Sequence, residues 1–129
     1  MLFRSWPSVE TPKGTGLDLS RVLAAASQAD AEPFALKVFV RMPSDGLVRI
    51  RRSDGSSLTL CVDPEELPWL GLWINRNGWA GTDGPGYLNL GLEPTTAPTD
   101  DLEAAVRDGT ARWLRCGATV SWGLQLDLA

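Results

Sequence analysis

Trp69-Leu70-Gly71-Leu72-Trp73-Ile74-Asn75-Arg76-Asn77-Gly78-Trp79 is the stretch on which the reading of this chain turns. Residues 69–75 alternate, with Leu70, Leu72 and Ile74 on one side and Trp69, Gly71, Trp73 and Asn75 on the other. Period two is the mark of a strand, because successive side chains point to opposite faces of a sheet. One of these faces is aliphatic and suited to a core. The other carries indole and amide groups, as expected of a sheet that packs with one side and presents the other to a ligand.

The same rhythm recurs on both flanks. Downstream, a Gly-rich loop over residues 77–86 leads into 87–93, where Leu88, Leu90 and Leu92 oppose Tyr87, Asn89, Gly91 and Glu93. Upstream, Phe34, Leu36, Val38 and Val40 alternate with Ala35, Lys37, Phe39 and Arg41. Ser44-Asp45-Gly46 and Ser53-Asp54-Gly55-Ser56 read as tight turns on either side of residues 47–52, with a further strand over 57–62. Turns this short cannot make a parallel crossover, so the expectation is a meander of consecutive antiparallel strands. A final strand is expected where Val120, Trp122, Leu124, Leu126 and Leu128 share a face. Helices are predicted over 100–108, with an acidic first turn and Gly109 as a cap, and over 18–26, with Asp18 as a cap. The predicted fold is mostly β: an antiparallel β-sandwich with one or two short helices. A length of 129 residues fits a single domain with an adequate core, in which residues 1–16 form an irregular arm and 17–129 the sandwich portion.

Composition removes several functions. The chain has no His, so it holds no Ser-His-Asp triad, no Cys-His pair and no imidazole acid or base. Net charge is −4, which argues against a nucleic-acid partner, and the basic cluster Arg49, Arg51 and Arg52 reads as a solvated strand face. No apolar run approaches the ~20 residues of a membrane helix, and the first residues lack a signal-peptide pattern. Cys61 and Cys116 have no metal-ligand spacing and read as packed thiols in a reducing cytoplasm. No metal or cofactor is expected.

Glu93 is the most informative polar residue. It ends a small, apolar strand just before Pro94 and shares parity with Asn89 and Tyr87. An exposed strand-end carboxylate explains it on composition alone. A general base explains it where aromatic rings partly shield the carboxylate from water and strengthen it as a base. Residues 69–79 set three tryptophans beside amide and guanidinium groups, a combination that suits carbohydrate. Aromatic faces stack on the C–H patches of a pyranose while Asn and Arg bond its hydroxyls. Filling a sandwich core is an equal explanation for any single Trp. Lys37, in an apolar strand beside Phe39, is a further candidate. Asp100, Asp101 and Glu103 are accounted for by the helix start, and no pair of carboxylates points to a glycosidase.

The order of residues 67–79, Leu-Pro-Trp-Leu-Gly-Leu-Trp-Ile-Asn-Arg-Asn-Gly-Trp, followed by Leu-Gly-Leu-Glu-Pro-Thr-Thr-Ala-Pro-Thr-Asp-Asp-Leu at 90–102, resembles the C-terminal half of aldose 1-epimerase-like (galactose mutarotase-like) proteins. The Leu-Glu-Pro motif before an Asp-Asp-Leu helix start is moderately specific, and the aromatic segment strengthens it. The resemblance implies part of a β-supersandwich whose concave sheet binds a hexose, with Trp73, Asn75, Tyr87 and Asn89 as the candidate sugar ligands. It implies that Glu93 matches the glutamate that removes the anomeric hydroxyl proton while a histidine protonates the ring oxygen. That histidine belongs to the half of the family pattern this chain lacks. General acid assistance is worth roughly 10²–10⁴ in rate, so Glu93 alone implies binding without efficient catalysis. The chain then reads as a fragment or split-gene product, as one member of a pair completed by another chain, or as a standalone sugar-binding or structural module. Open strand edges and uncovered apolar faces predict self-association.

Overall fold

The alternating segments fold as strands, but their pairing differs from a simple meander. A computed structural model of the chain describes residues 10–11, 14–15, 24, 28, 32–80, 84 and 86–129. Within them lie β1 (Glu10–Thr11), β2 (Gly14–Thr15), β3 (Phe34–Arg41), β4 (Leu47–Arg51), β5 (Ser57–Val62), β6 (Trp69–Arg76), β7 (Leu88–Thr95), α1 (Leu102–Arg107) and β8 (Leu124–Leu128). The short strands β1 and β2 pair with each other inside the segment expected to be irregular. The helix expected over 18–26 lies outside the described residues, apart from Ala24, which is helical.

Two three-stranded antiparallel sheets carry the fold, ordered β3-β6-β7 and β4-β5-β8. Their inner faces meet in one core. Val40, Leu70, Leu72 and Ile74 come from the first sheet, Val48, Leu60 and Val62 from the second, with Met42 and Leu67 from the connections. Burial of these aliphatic chains is the dominant favourable term in holding the sheets together.

The expected meander through β3, β4 and β5 is corrected. β4 and β5 do form a hairpin around Gly55, whose φ is +90°, but β3 pairs with β6. Side-chain parity supplies the reason. A two-residue turn at 44–45 or 45–46 would set Val40 against Arg49 or Arg51, and Arg41 against Val48 or Ile50. Each face would then mix aliphatic and charged residues, which a half-buried sheet cannot accommodate. The Asp45-Gly46 turn instead carries the chain from one sheet to the other. Gly46 is required there: its φ is +66°, and a Cβ would lie 1.9 Å from the Val62 carbonyl oxygen.

The helix is shorter than expected and capped at both ends. Asp101 Oδ1 accepts from the Ala104 N–H at 3.1 Å, filling the N-cap role. At the other end Gly109 (φ +69°) donates to Val106, and Thr110 donates to Ala105, the pattern of a Schellman motif. The last strand also begins later than expected. Val120 and Trp122 precede β8, and Cys116, expected to be packed, is exposed.

Candidate functional site

The outer face of the β3-β6-β7 sheet gathers the residues of interest in three rows. Register places Ala35, Asn75 and Asn89 side by side, then Lys37, Trp73 and Gly91, then Phe39, Gly71 and Glu93. Glycines at 71 and 91 let neighbouring side chains close over the strand backbone. A Cβ on Gly91 would come within 3.3 Å of Trp73 Cβ and 3.6 Å of Glu93 Oε1. A Cβ on Gly71 would meet Glu93 Cβ, Phe39 and Lys37 at 3.3–3.4 Å. Trp73 and Glu93 therefore meet over the backbone of Gly91, and Glu93, Phe39 and Lys37 close over that of Gly71.

Lys37 joins the carboxylates of this face. Its Nζ donates to Glu93 Oε2 and to Asp100 Oδ1, each at 2.6 Å, and lies 5.4 Å from the centre of the Phe39 ring. Burial by itself would lower the Lys37 pKa. Hydrogen bonds to Asp100 and Glu93, together with their charges, outweigh that and raise it. Of the two readings of Glu93, an exposed strand-end carboxylate or a base partly shielded by rings, the exposure matches the first: its side chain is 46% exposed and held by an ammonium. What orients it is a charge-assisted bond, the strong kind.

Three aromatic rings extend the surface past the end of β6. Trp79 meets Trp73 edge-on at 6.0 Å and Tyr87 edge-on at 6.0 Å, a geometry rings favour over face-to-face stacking. Both Trp79 and Tyr87 are exposed. Asn75 is placed differently from the expected sugar ligand: it is 0% exposed. Its Nδ2 donates to the Trp79 carbonyl at 2.8 Å, and its Oδ1 accepts from the Trp79 N–H at 3.0 Å. The amide is occupied in fastening the loop that carries Trp79. Asn77 closes the same loop by donating its N–H to the Tyr87 carbonyl at 2.9 Å. Asn89 is exposed at the near end of β7, opposite Asn75.

Asp100 is the site residue that sequence reasoning missed. Three acidic residues near the helix start were all credited to it, yet Asp101 alone supplies the cap and Glu103 the first-turn charge. A second carboxylate next to a residue already filling the cap was the available signal. Elsewhere on this face Arg41 stacks on Trp69 at 4.8 Å, so the far end carries a cation over an indole.

Among the described residues, no group of three or more His, Cys, Asp or Glu could hold a metal ion, and no helix is long and apolar enough to cross a membrane. Comparisons with protein-family models, curated proteins and solved structures find no match to this chain.

Proposed function

We propose that the outer face of the β3-β6-β7 sheet binds a hexose. Glu93 accepts a hydroxyl hydrogen, Lys37 and Asn89 bond further hydroxyls, and Trp73, Trp79 and Tyr87 lie against the sugar's C–H faces. The observation that carries this reading is the meeting of Trp73 and Glu93 across Gly91, with Lys37 bridging from the next strand. Aromatic edges beside charged hydrogen-bonding groups match the mixed surface of a pyranose. Resemblance to aldose 1-epimerase-like proteins supports the same ligand and assigns Glu93 the role of base. The sequence contains no histidine to protonate the ring oxygen. Binding without efficient mutarotation is therefore the expected state of this chain by itself, and mutarotation requires a second chain that brings the acid. The two free thiols suit a reducing cytoplasm.

Titration of tryptophan fluorescence with glucose and galactose tests the proposal. Wild type is expected to respond saturably at millimolar sugar, and Glu93→Gln to bind about tenfold more weakly, the loss of one charge-assisted bond. A flat titration with both sugars would leave a structural module as the only reading. Polarimetry on the same samples separates binding from catalysis: equal interconversion rates for wild type and E93Q would remove Glu93 from any base role.

A further inference from the structure

We propose that Asp100 is the standing counter-ion of Lys37, and that its presence lets Glu93 leave the ion pair to receive a sugar hydroxyl. The inference rests on the sugar-binding reading above and adds to it a positioning residue. An ammonium has three N–H donors and no acceptor. Two of those of Lys37 are directed at carboxylates from different elements: Glu93 in β7, and Asp100 in the connection leading to α1. The Lys37 side chain is only 22% exposed, pressed beside Phe39 and the backbone of Gly71. A cation so placed is costly to leave without a partner.

Were Glu93 its only partner, every hydroxyl that Glu93 accepted would compete with the charge of Lys37. Asp100 removes that conflict. When Glu93 turns toward ligand, the ammonium keeps one carboxylate at hydrogen-bond distance. Lys37 also stays in place to donate its freed N–H to the sugar. Asp100 is itself 65% exposed, so its own desolvation cost is small. It acts on the ligand through Lys37.

A double-mutant cycle reads this directly, using sugar titrations by tryptophan fluorescence on wild type, Asp100→Ala, Lys37→Met and the double variant. Near-UV circular dichroism checks that each is folded, and Asp100→Asn replaces the alanine variant if that one is perturbed. Removing Asp100 from the Lys37 protein is expected to weaken binding about tenfold, because Glu93 is then held by an unshared cation. In the Lys37→Met background the same change should alter affinity by less than about twofold. Two results overturn the proposal: no effect of D100A when Lys37 is present, or an equal loss in both backgrounds, which would make Asp100 a direct ligand or a structural residue. Absence of any sugar response in wild type is a separate result, and it removes the underlying reading.

Discussion

A single amide, that of Asn75, connects the core to the aromatic surface. One of its N–H groups and its oxygen both bond the main chain of Trp79, so the position of an exposed ring depends on a fully buried residue. Asn75→Asp keeps the acceptor for the Trp79 N–H but turns an oxygen toward the Trp79 carbonyl. Leaving that carbonyl unpaired beside a buried acid is expected to cost about 2 kcal/mol, read as a lower urea midpoint, with an altered near-UV signal from Trp79. Unchanged values for both would contradict the clamp. At this scale the sequence was only partly legible. Parity placed Asn75 on the outer face correctly, but burial there depends on how the loop after β6 folds back, which no local pattern encodes. Glu93 and Lys37 were singled out by their apolar surroundings; Asp100 was hidden by an acidic helix start that accounted for it too easily.

Among the elements, α1 is the most dependent on its ends. With six residues it is too short to be stable alone, and its two caps satisfy main-chain groups that the helix cannot. Asp101→Ala is expected to cost about 1 kcal/mol. Faster amide exchange confined to α1 is the measurement, and because Asp100 remains, sugar affinity should stay the same. Strands β3, β6 and β7 were legible because each has one aliphatic face in strict alternation. Strand partners were not, since β3 and β6 are separated by a complete hairpin and tight-turn chemistry announces a reversal without naming the neighbour. Comparing parity across the Asp45-Gly46 turn would have excluded the β3–β4 pairing. β8 was read too long because Val120 and Trp122 continue its alternation past the point where β5 ends and has nothing left to pair.

On the scale of the whole molecule, the second sheet extends beyond what covers it. Leu124, Leu126 and Leu128 are in register with the core residues Val62 and Leu60 and the half-buried Leu58, yet they are 51%, 56% and 82% exposed. Beside them an open cleft of about 490 Å³ is lined by Ile50, Leu58, Leu90 and Leu128. An apolar strip at a sheet edge favours association. Sedimentation at micromolar concentration is expected to show dimers or larger species, and Leu126→Lys to shift them toward monomer; a clean wild-type monomer would refute this. Charge makes a second global contribution through Lys37. Its pKa is raised above 10.5, so the stability it confers is fully present below that value and lost as pH rises through the folded-state value. The gap in urea midpoint between wild type and Lys37→Met should thus hold steady through neutral pH and narrow above pH 10.5. A gap that narrows on acidification from neutral pH to about pH 6 would assign it to other groups.

The exposed arginines of β4 also weigh against a competing strand pairing. In chain order β3 and β4 are neighbours joined by a short turn, whereas β6 follows a further hairpin. Arg49 in one tight hairpin, or Arg51 in the other, would confront Val40, so the side chains themselves disfavour a β3–β4 pairing. A surface that is hydrophilic in the finished protein thereby also specifies which strands pair.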